Sequence, residues 1–459
     1  MKKHLLIGLL LLGVSSAGAF AGAREERLWQ AVRNDDHEAV RALLAERANP
    51  NTPLPDKSTI LAWAVNRQDE ESVRLLLKAG AKPNAPDIDG ASPFLLACEL
   101  GNPTIVADLL KAGGDAKAVR PDGVSALALS AGVSTPETLD RLIAAGADVN
   151  AADPQGQTTL MWAAAKGRTD NMAVLLRRHA NINAVTKTGW TPLLFALKGK
   201  APAAPNMLMD AGADTKVMLP DGSSLIEAAI AEHNIPFAMR LVAALPDVDQ
   251  RDQRGRQMIH IAASSGSAEL VKLVLSRGGD PNAVTPLAKP VPVNVIVDTG
   301  LNGGVPTRTR SVVQTVPPSP ASSTPALLLA AEAGSAPAMR ALVEAGAKPD
   351  AKAQDGSTLA LAAAAGGNLE ALKYALELDP DVNAQTLDGR SIIHMVIENQ
   401  FGPDDQSMIQ LLVDKGAKLE VKDGQGHTPG LMVNRSGPQG LRVMYIQLLK
   451  DRGIVSEFH

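Results

Sequence analysis

The chain has 459 residues, with 45 Lys plus Arg and 49 Asp plus Glu, so its formal net charge is −4 at pH 7. No long basic run is present, which argues against nucleic acid as a partner, because such binding needs a basic footprint. Aromatic residues make up only 3%, which disfavours large substrate pockets, and the single cysteine, Cys98, excludes an intramolecular disulfide and a cysteine-based metal site.

The first 21 residues are typical of a secretory signal peptide. Lys2 and Lys3 form a charged start, residues 5–14 form a short apolar stretch, and small residues precede possible cleavage positions near Ala21 or Ala23. The stretch is too short for a comfortable membrane span, and no cysteine follows it, which excludes a lipid-anchored bacterial lipoprotein. We expect cleavage and export without a transmembrane span; an uncleaved anchor is the alternative.

From residue 24 onward the sequence repeats with a fixed period. The first apolar residue of each predicted first helix recurs every 33 residues, and after one interruption the series resumes with the same step. The series is Leu28, Leu61, Phe94, Leu127, Leu160, Leu193, Ile226, Ile259, Leu327, Ala360 and Ile393. A period of this size predicts stacked supersecondary units that share one elongated core, rather than a single closed domain.

Residues 252–282 are the clearest repeat. Asp252 and Gly255 frame a turn, because glycine adopts the positive φ that tight turns need. A short apolar helix follows up to Gly266, and the spacing of apolar residues from Leu270 predicts a second, amphipathic helix that ends at Gly278. In other repeats a Thr/Ser-Pro pair, such as 191–192, provides the helix cap and the first turn.

The unit resembles the ankyrin repeat, which consists of a turn, two antiparallel helices and a hairpin finger. The matching residues include Gly-Trp-Thr-Pro-Leu at 189–193 and Gly-Ala-Asp-Val-Asn at 146–150, and the resemblance extends from about residue 25 to about residue 450. It implies an all-α repeat solenoid of about twelve units with β-hairpin fingers. It also implies that His260 and His394, which share one position, form hydrogen bonds between neighbouring repeats.

These assignments divide the chain into four parts. We expect a signal peptide at 1–21, repeats 1–8 with an N-terminal cap at 24–282, an inserted segment at 283–323, and repeats 9–12 with a C-terminal cap at 324–459. Repeat 11 is lengthened near 401–405, and repeat 12 loses its helix pattern at 434–440 before a closing helix at 445–449.

The inserted segment is the largest departure from the period, since Ile259 and Leu327 are 68 residues apart instead of 33. Valines alternate from 291 to 297, a turn follows at 301–304, and a second β-prone run at 307–316 contains Arg308 and Arg310. A Pro- and Ser-rich linker returns to the repeats. These features favour a β-hairpin that projects from a finger; a disordered loop is the alternative.

No credible active site is present, so we expect neither catalysis nor a bound cofactor or metal. The histidines lack metal-ligand spacing, and Asp87, Asp89 and the acidic residues at 247–252 lie in turns without the oxygen series of a calcium loop. Lys198-Gly199-Lys200 lacks the other residues of a phosphate loop, and no nucleophile elbow surrounds any serine. Cys98 is expected to be a small buried residue of a first helix.

The resemblance places partner binding on the concave surface formed by fingers and first helices, where variable positions flank the turn glycine and the end of the first helix. Trp190 leads the candidates because Trp and Arg most often anchor interfaces; packing against the adjacent finger is its alternative role. The candidate contact residues are Gln157, Lys166, Lys187, Trp190, Gln253, Arg254, Arg256, Arg308, Arg310, Leu387 and Arg390.

The favoured function is therefore that of an exported, monomeric, non-enzymatic protein that binds one or more proteins of unspecified identity. A periplasmic location is preferred, with a role as scaffold, inhibitor or protector of an envelope protein. Two alternatives remain: a secreted effector that binds a host protein, and a small-ligand or enzymatic function within 283–323.

Overall fold

A computed structural model describes residues 22–54, 57–199, 201–219, 221–252, 254–285, 291–298, 301–302, 305–306, 309–316, 323–398 and 402–454. The expected signal peptide at 1–21 lies outside these ranges. Contacts divide the chain into two compact units, an N-terminal block at 1–228 and a C-terminal block at 229–459.

The described residues form an all-α repeat solenoid in which 24 helices follow one another in pairs. We call the odd-numbered helices first helices and the even-numbered helices second helices, and each pair is one repeat. The helices are α1 Ala23–Arg33, α2 His37–Ala45, α3 Ile60–Asn66, α4 Glu70–Lys78, α5 Pro93–Leu100, α6 Pro103–Lys111, α7 Ala126–Ala131, α8 Pro136–Ala144, α9 Thr159–Ala165, α10 Thr169–Arg177, α11 Pro192–Lys198, α12 Ala203–Asp210, α13 Leu225–Ala231, α14 Ile235–Ala243, α15 Met258–Ser264, α16 Ala268–Ser276, α17 Ala326–Glu332, α18 Ala336–Glu344, α19 Leu359–Ala365, α20 Leu369–Leu378, α21 Ile392–Glu398, α22 Asp405–Asp414, α23 Pro429–Ser436 and α24 Gln439–Asp451.

Repeat 3 illustrates how local sequence sets the helix ends. The Ser92 hydroxyl accepts a hydrogen bond of 3.2 Å from the Leu95 amide, and Pro93 occupies the first turn of α5, where a missing N–H costs nothing. Gly101 ends the helix with a φ of 81°. Phe94 of α5 and Leu109 of α6 are fully buried, so the core of the repeat lies between its two helices and those of its neighbours.

A row of asparagines joins successive repeats at the base of the fingers, where a finger is the turn between the second helix of one repeat and the first helix of the next. In each block the pattern is the same. Asn84 donates from Nδ2 to the Gly113 carbonyl (2.8 Å) and accepts from the Asp115 amide (2.9 Å). Asn282 does so with Gly346 (3.0 Å) and Lys348 (3.0 Å), which lie beyond the inserted segment. The repeats therefore stack directly across the insertion.

The inserted segment leaves and re-enters the chain within a single finger. The Thr285 amide donates to the Thr324 carbonyl (3.1 Å), and the Thr324 amide donates to the Thr285 hydroxyl (2.8 Å). An ordinary finger has the same pairing, since the Thr186 amide donates to the Trp190 carbonyl (2.9 Å). The residues between Thr285 and Thr324 thus replace the three residues between Thr186 and Trp190.

The backbone of the inserted segment contains two pairs of antiparallel strands. Strand β1 (Val291–Asp298) pairs with β4 (Thr309–Val316), so that Val291 lies opposite Val316 and Asp298 opposite Thr309. Between them, β2 (Leu301–Asn302) pairs with β3 (Val305–Pro306). Strands of eight residues are about 26 Å long.

The C-terminal end departs from one sequence expectation. The loss of helix pattern predicted at 434–440 is wrong for 434–436 and 439–440, because α23 continues to Ser436, α24 begins at Gln439 and the break is confined to Gly437 and Pro438. The closing helix α24 is also longer than predicted and begins at Gln439. The buried Tyr445 hydroxyl donates to the Leu419 carbonyl at 2.7 Å and ties this helix to the preceding repeat.

Candidate functional site

Four predicted contact residues lie in the N-terminal block, and they differ in accessibility. Lys166 and Lys187 are exposed, whereas Gln157 and Trp190 are half-buried. The Trp190 ring packs on Phe195 of α11, with ring centroids 5.6 Å apart and a tilt of 55°. This contact is with the first helix of its own repeat.

In the C-terminal block the predicted arginines are engaged within the chain. Arg256 forms a 2.8 Å ion pair with Asp252, and Arg390 pairs with Asp388 (2.8 Å) and Glu398 (3.1 Å). Arg254 is exposed, and Leu387 is 81% exposed at its fingertip. These fingers therefore present a mixture of ion pairs and one large apolar side chain.

Three further predicted contact residues are Gln253, Arg308 and Arg310. Gln253 and Arg308 lie outside the described residues. The backbone of Arg310 lies in β4, opposite Val297 of β1.

The exposed large apolar side chains of the N-terminal block lie in two kinds of place. Within the described residues of this block, they lie in fingers or at the ends of first helices, and second helices carry none. The six are Ile88 (65% exposed), Leu100 (41%), Val119 (53%), Val133 (43%), Val185 (59%) and Met218 (44%). We call this set the finger face.

The finger face is connected by contacts between neighbouring repeats. A methyl group placed on Gly101, beside Leu100, would approach Val133 Cγ2 to 2.9 Å, so the ends of α5 and α7 touch. Arg120 of one finger forms a 3.3 Å ion pair with Glu99 near the end of α5. Fingers and first-helix ends are therefore adjacent parts of one surface.

Six fingers of the N-terminal block carry an exposed apolar residue at the same position, 33 residues apart. We call these residues, Pro53, Pro86, Val119, Ala152, Val185 and Met218, the apolar track. The position lies on the extended first half of the finger; Val119, for example, forms a β-bridge with Ser125, and Met218 with Ser224.

A separate cleft of about 950 Å³ lies in the C-terminal block, between the fingers and first helices of the last repeats. Its walls include Asp388 and Arg390 from one finger, Glu398 from α21, and Leu431 and Arg435 from α23. Leu431 is 41% exposed, so the cleft combines an apolar patch with both signs of charge. A volume of this size is in the range of small-ligand sites, although the charged walls do not form a converging set of free polar groups.

The charged groups of this cleft are fixed by one another. Partial burial opposes ionisation of Asp388, but the hydrogen bond from Thr386 and the contact with Arg390 outweigh burial and lower the pKa of Asp388. The same burial disfavours the Arg390 cation, yet Asp388 and Glu398 raise the pKa of Arg390. These side chains therefore remain charged across the physiological pH range and stabilise the finger.

The two matched histidines have structural surroundings. His394 Nδ1 lies 2.8 Å from the Ser391 hydroxyl, and its Nε2 lies 3.2 Å from the carbonyl of His427 in the next finger, which is the predicted contact between repeats. His260 accepts a 3.0 Å hydrogen bond from the Gln257 amide. Burial lowers the pKa of both histidines and keeps them neutral.

Other candidate chemistry is also accounted for by the fold. Cys98 is fully buried in α5, and burial raises the pKa of its thiol to about 12. Asp87 accepts backbone hydrogen bonds within its turn from Asp89 (2.9 Å) and Ala91 (2.8 Å). Among the described residues, no group of three or more His, Cys, Asp or Glu side chains could hold a metal ion, and no helix is long and apolar enough to cross a membrane.

The apolar track is the feature that the sequence predictions missed. They concentrated on positions beside the turn glycine and favoured charged and aromatic residues. The signal was nevertheless present, because Val119, Val185 and Met218 precede their turns by one residue at multiples of the 33-residue period.

Comparisons with known proteins agree with the repeat architecture. The sequence matches the family profile described as ankyrin repeats (3 copies) at residues 28–120, 126–218 and 327–423, and that of the single ankyrin repeat at 254–286. Rabankyrin-5 of Mus musculus is 39% identical over 79 residues, and Rabankyrin-5 of Homo sapiens is 42% identical over 79 residues. The alignment covers 17% of this chain and only 6% of the length of either relative.

Proposed function

Because the chain belongs to the ankyrin repeat family, we propose that it is an exported, monomeric, non-catalytic protein that binds a protein of the cell envelope. The observation that carries this proposal is the finger face, where six exposed large apolar side chains lie on fingers and first-helix ends while the described second helices of the N-terminal block carry none. Its role would be that of a scaffold, inhibitor or protector of the partner.

Exposed apolar surface of this kind favours a macromolecular partner over a small ligand. Val185 and Ile88 are more than half exposed and stand on an open surface, where a small molecule would leave most of their area in water. Contiguous apolar patches on otherwise polar surfaces typically mark protein-binding sites, because only a second protein can cover them.

The inserted segment is proposed as a second contact. It leaves and re-enters the chain between Thr285 and Thr324, beside the exposed Val284, and as a β-hairpin it would offer its outer strand edges to a partner. The leader-like sequence at 1–21 supports export, and the periplasm is the preferred compartment.

An affinity pull-down from an envelope fraction tests this function. We would compare the wild-type protein with a triple variant of the finger face, Ile88→Ser with Val119→Ser and Val185→Ser, and with a control, Lys111→Ala with Arg177→Ala, whose exposed side chains lie on second helices. Loss of the same partner from the first variant alone, at unchanged melting temperature, is expected. Full retention of the partner would refute binding through the fingers.

Localisation separates the periplasmic proposal from the secreted alternative. Fractionation of the native host should recover the protein, shortened near residue 21 or 23, in the periplasm. Recovery in the culture fluid or in host cells would instead support an effector that binds a host protein.

A further inference from the structure

We propose that three exposed cations in the inter-helix loops of repeats 5 and 6 bind an acidic segment of the partner protein. An inter-helix loop joins the first helix of a repeat to its second helix. The three residues, which we call the basic patch, lie at the end of α9, the start of α10 and the end of α11: Lys166, Arg168 and Lys198. This inference rests on the proposed binding function and specifies the chemistry of the partner surface.

Repeats 5 and 6 have a charge opposite to that of the chain as a whole. Between Asp153 and Asp210 the sequence has seven Lys and Arg residues but only one acidic residue, Asp170. The formal charge of this stretch is therefore +6, whereas that of the whole chain is −4. A local excess of one sign attracts partners of the opposite sign and accelerates their association. These two repeats are thus suited to an acidic partner.

The cations of repeat 5 are not neutralised by the chain itself. Among the described residues, neither Lys166 nor Arg168 forms an ion pair, and the Arg168 guanidinium donates to the neutral carbonyl of Ser134 at 2.9 Å. In repeat 2, by contrast, Arg67 occupies the position of Lys166 and is paired with Asp35 through a 3.0 Å hydrogen bond. Lys166 and Arg168 therefore keep their charges available to a partner.

The loops that carry the basic patch touch each other. A methyl group placed on Gly167 would collide with Ala201 in the loop of repeat 6. A methyl group on Gly199, which directly follows Lys198, would lie 2.9 Å from the carbonyl oxygen of Ala164 near the end of α9. The three cations therefore belong to one continuous surface.

On the side of repeat 4, the basic patch continues into the finger face. Leu100 and Val133 occupy, in repeats 3 and 4, the position that Lys166 occupies in repeat 5. A methyl group on Gly132, directly before Val133, would lie 2.9 Å from Lys166 Cγ, so the loops of repeats 4 and 5 are also in contact. We therefore expect the partner surface to have apolar residues beside its carboxylates.

Two features favour an acidic protein segment over a nucleic acid or an anionic membrane. The exposed carboxylate of Asp170 is two residues from Arg168 and would repel a uniformly anionic surface, whereas a protein segment can place its own carboxylates away from it. Leu100 and Val133 are only 41% and 43% exposed, whereas side chains that anchor a protein in a bilayer insert their apolar face into it. A partner protein that follows the surface can cover such partly recessed side chains.

Binding of a synthetic acidic peptide to the full-length chain tests this proposal. The probe has three repeats of the sequence Leu-Ser-Glu-Glu, and the comparison peptide has Gln in place of every Glu. Affinity would be measured by fluorescence anisotropy for the wild-type protein and three variants. The patch variant is Lys166→Gln, Arg168→Gln, Lys198→Gln. The charge-conserving variant is Lys166→Arg, Lys198→Arg.

The control variant removes the same number of positive charges elsewhere in the N-terminal block. Its substitutions lie in the last turns of the second helices α4, α6 and α10, where the side chains are exposed: Lys78→Gln, Lys111→Gln and Arg177→Gln. Because the patch and control variants change the net charge equally, a difference between them reports the location of the charges. Equal melting temperatures would show that both variants are folded.

We expect the acidic peptide to bind the wild-type protein, the charge-conserving variant and the control variant alike. The patch variant should bind it at least about tenfold more weakly, because three charge contacts are lost. The wild-type affinity should also fall as the NaCl concentration rises. Equal affinity for the Gln peptide, equal affinity of the patch variant, or no binding by the wild-type protein would overturn the proposal.

Phosphatidylglycerol vesicles and inorganic phosphate test other sources of negative charge. Patch-dependent binding of either one in preference to the acidic peptide would also overturn the proposal. In the envelope pull-down, the patch variant should capture less of the partner than the control variant does. Full retention by the patch variant, with loss from the finger-face variant, would refute the basic patch and leave the proposed function standing. Full retention by both variants would refute the proposed function as well.

Discussion

Asp405 occupies the position at which most second helices of this chain have their capping residue. Asp69, Asn102 and Asn368 each accept a hydrogen bond from the amide three residues later. In repeat 11 the helix begins one residue early, so that Asp404 becomes the cap position and Asp405 enters the first turn of α22. Asp405 is only 2% exposed, and its carboxylate makes no hydrogen bond of normal geometry, although the backbone of Gly402 lies close enough to oppose part of the effect of burial on its pKa.

This buried carboxyl makes the local stability of repeat 11 depend on pH. Burial raises the pKa of Asp405 to about 6, so the folded protein holds a proton that the unfolded chain has released by about pH 4. The stabilisation from protonated Asp405 is complete below about pH 4 and is lost as the pH rises to about 6. At neutral pH the ionised side chain is a destabilising element.

We predict that Asp405→Asn stabilises repeat 11 at pH 7 by about 1–2 kcal/mol, because the amide carries no charge to desolvate. Hydrogen exchange of α22 amides at pH 7, and thermal unfolding at several pH values, would measure the change. The advantage should disappear near pH 4. Asp89→Asn, at an exposed turn, is the control; equal stability of Asp405→Asn and wild type at every pH would contradict the prediction.

Gly156 and Gly426 occupy the same turn position in their fingers. Comparing them distinguishes two reasons why this position requires glycine. Both have a φ of +84°, but a methyl group on Gly156 would lie 3.1 Å from the Thr186 Cα of the next finger, whereas one on Gly426 meets nothing within 4 Å in the described structure. Backbone strain therefore acts at both positions, and contact between fingers acts at Gly156 alone.

We predict that Gly156→Ala lowers the free energy of unfolding by about 2–3 kcal/mol and Gly426→Ala by about 1 kcal/mol. Urea denaturation of both variants would measure the difference. If the two substitutions lower the free energy of unfolding by the same amount, the close approach of successive fingers at Gly156 adds no further cost to its replacement.

At the scale of elements, the fold could be predicted almost completely, and the binding surface only in part. The 33-residue period located the first helices, because each repeat must bury its own apolar residue against its neighbours. The early start of α22 could not be predicted, since Asp404 and Asp405 are both suitable caps. The track was missed because an exposed valine such as Val119 differs from a buried one only through its tertiary surroundings.

The insertion is predicted to be dispensable for folding. Replacing residues 286–323 by Lys-Thr-Gly, the sequence of the finger at 187–189, should leave the melting temperature within a few degrees of wild type, because Thr285 and Thr324 keep their pairing and Asn282 keeps its bonds to Gly346 and Lys348. Thermal unfolding tests this. A drop of more than about 10 °C would show that the insertion supports the repeats.

At the scale of the whole molecule, stability is expected to be local. Each helix packs mainly on the helices of its own and adjacent repeats, so the free energy of the stack is approximately a sum of repeat and interface terms. A destabilising substitution should therefore reduce hydrogen-exchange protection in its own and adjacent repeats, while the amides of distant repeats keep their protection.

Leu109→Ala provides the test, because Leu109 of α6 is fully buried and its truncation should cost about 2–4 kcal/mol. Hydrogen exchange monitored by mass spectrometry should show loss of protection in α5 to α8, with α18 to α22 unchanged. A uniform loss over all helices would indicate that the chain unfolds as one cooperative unit.

The pair of threonines at the root of the insertion also defines a grafting position. Thr285 and Thr324 are joined by backbone hydrogen bonding in the manner of an ordinary finger, whatever length of chain runs between them. Because loop-closure entropy grows only slowly with length, by about 0.6 kcal/mol per doubling, foreign sequences can be displayed from this point at small thermodynamic cost. The sequence between Thr285 and Thr324 can thus vary, and with it the partner that the insertion binds, without a change in the core of the repeats.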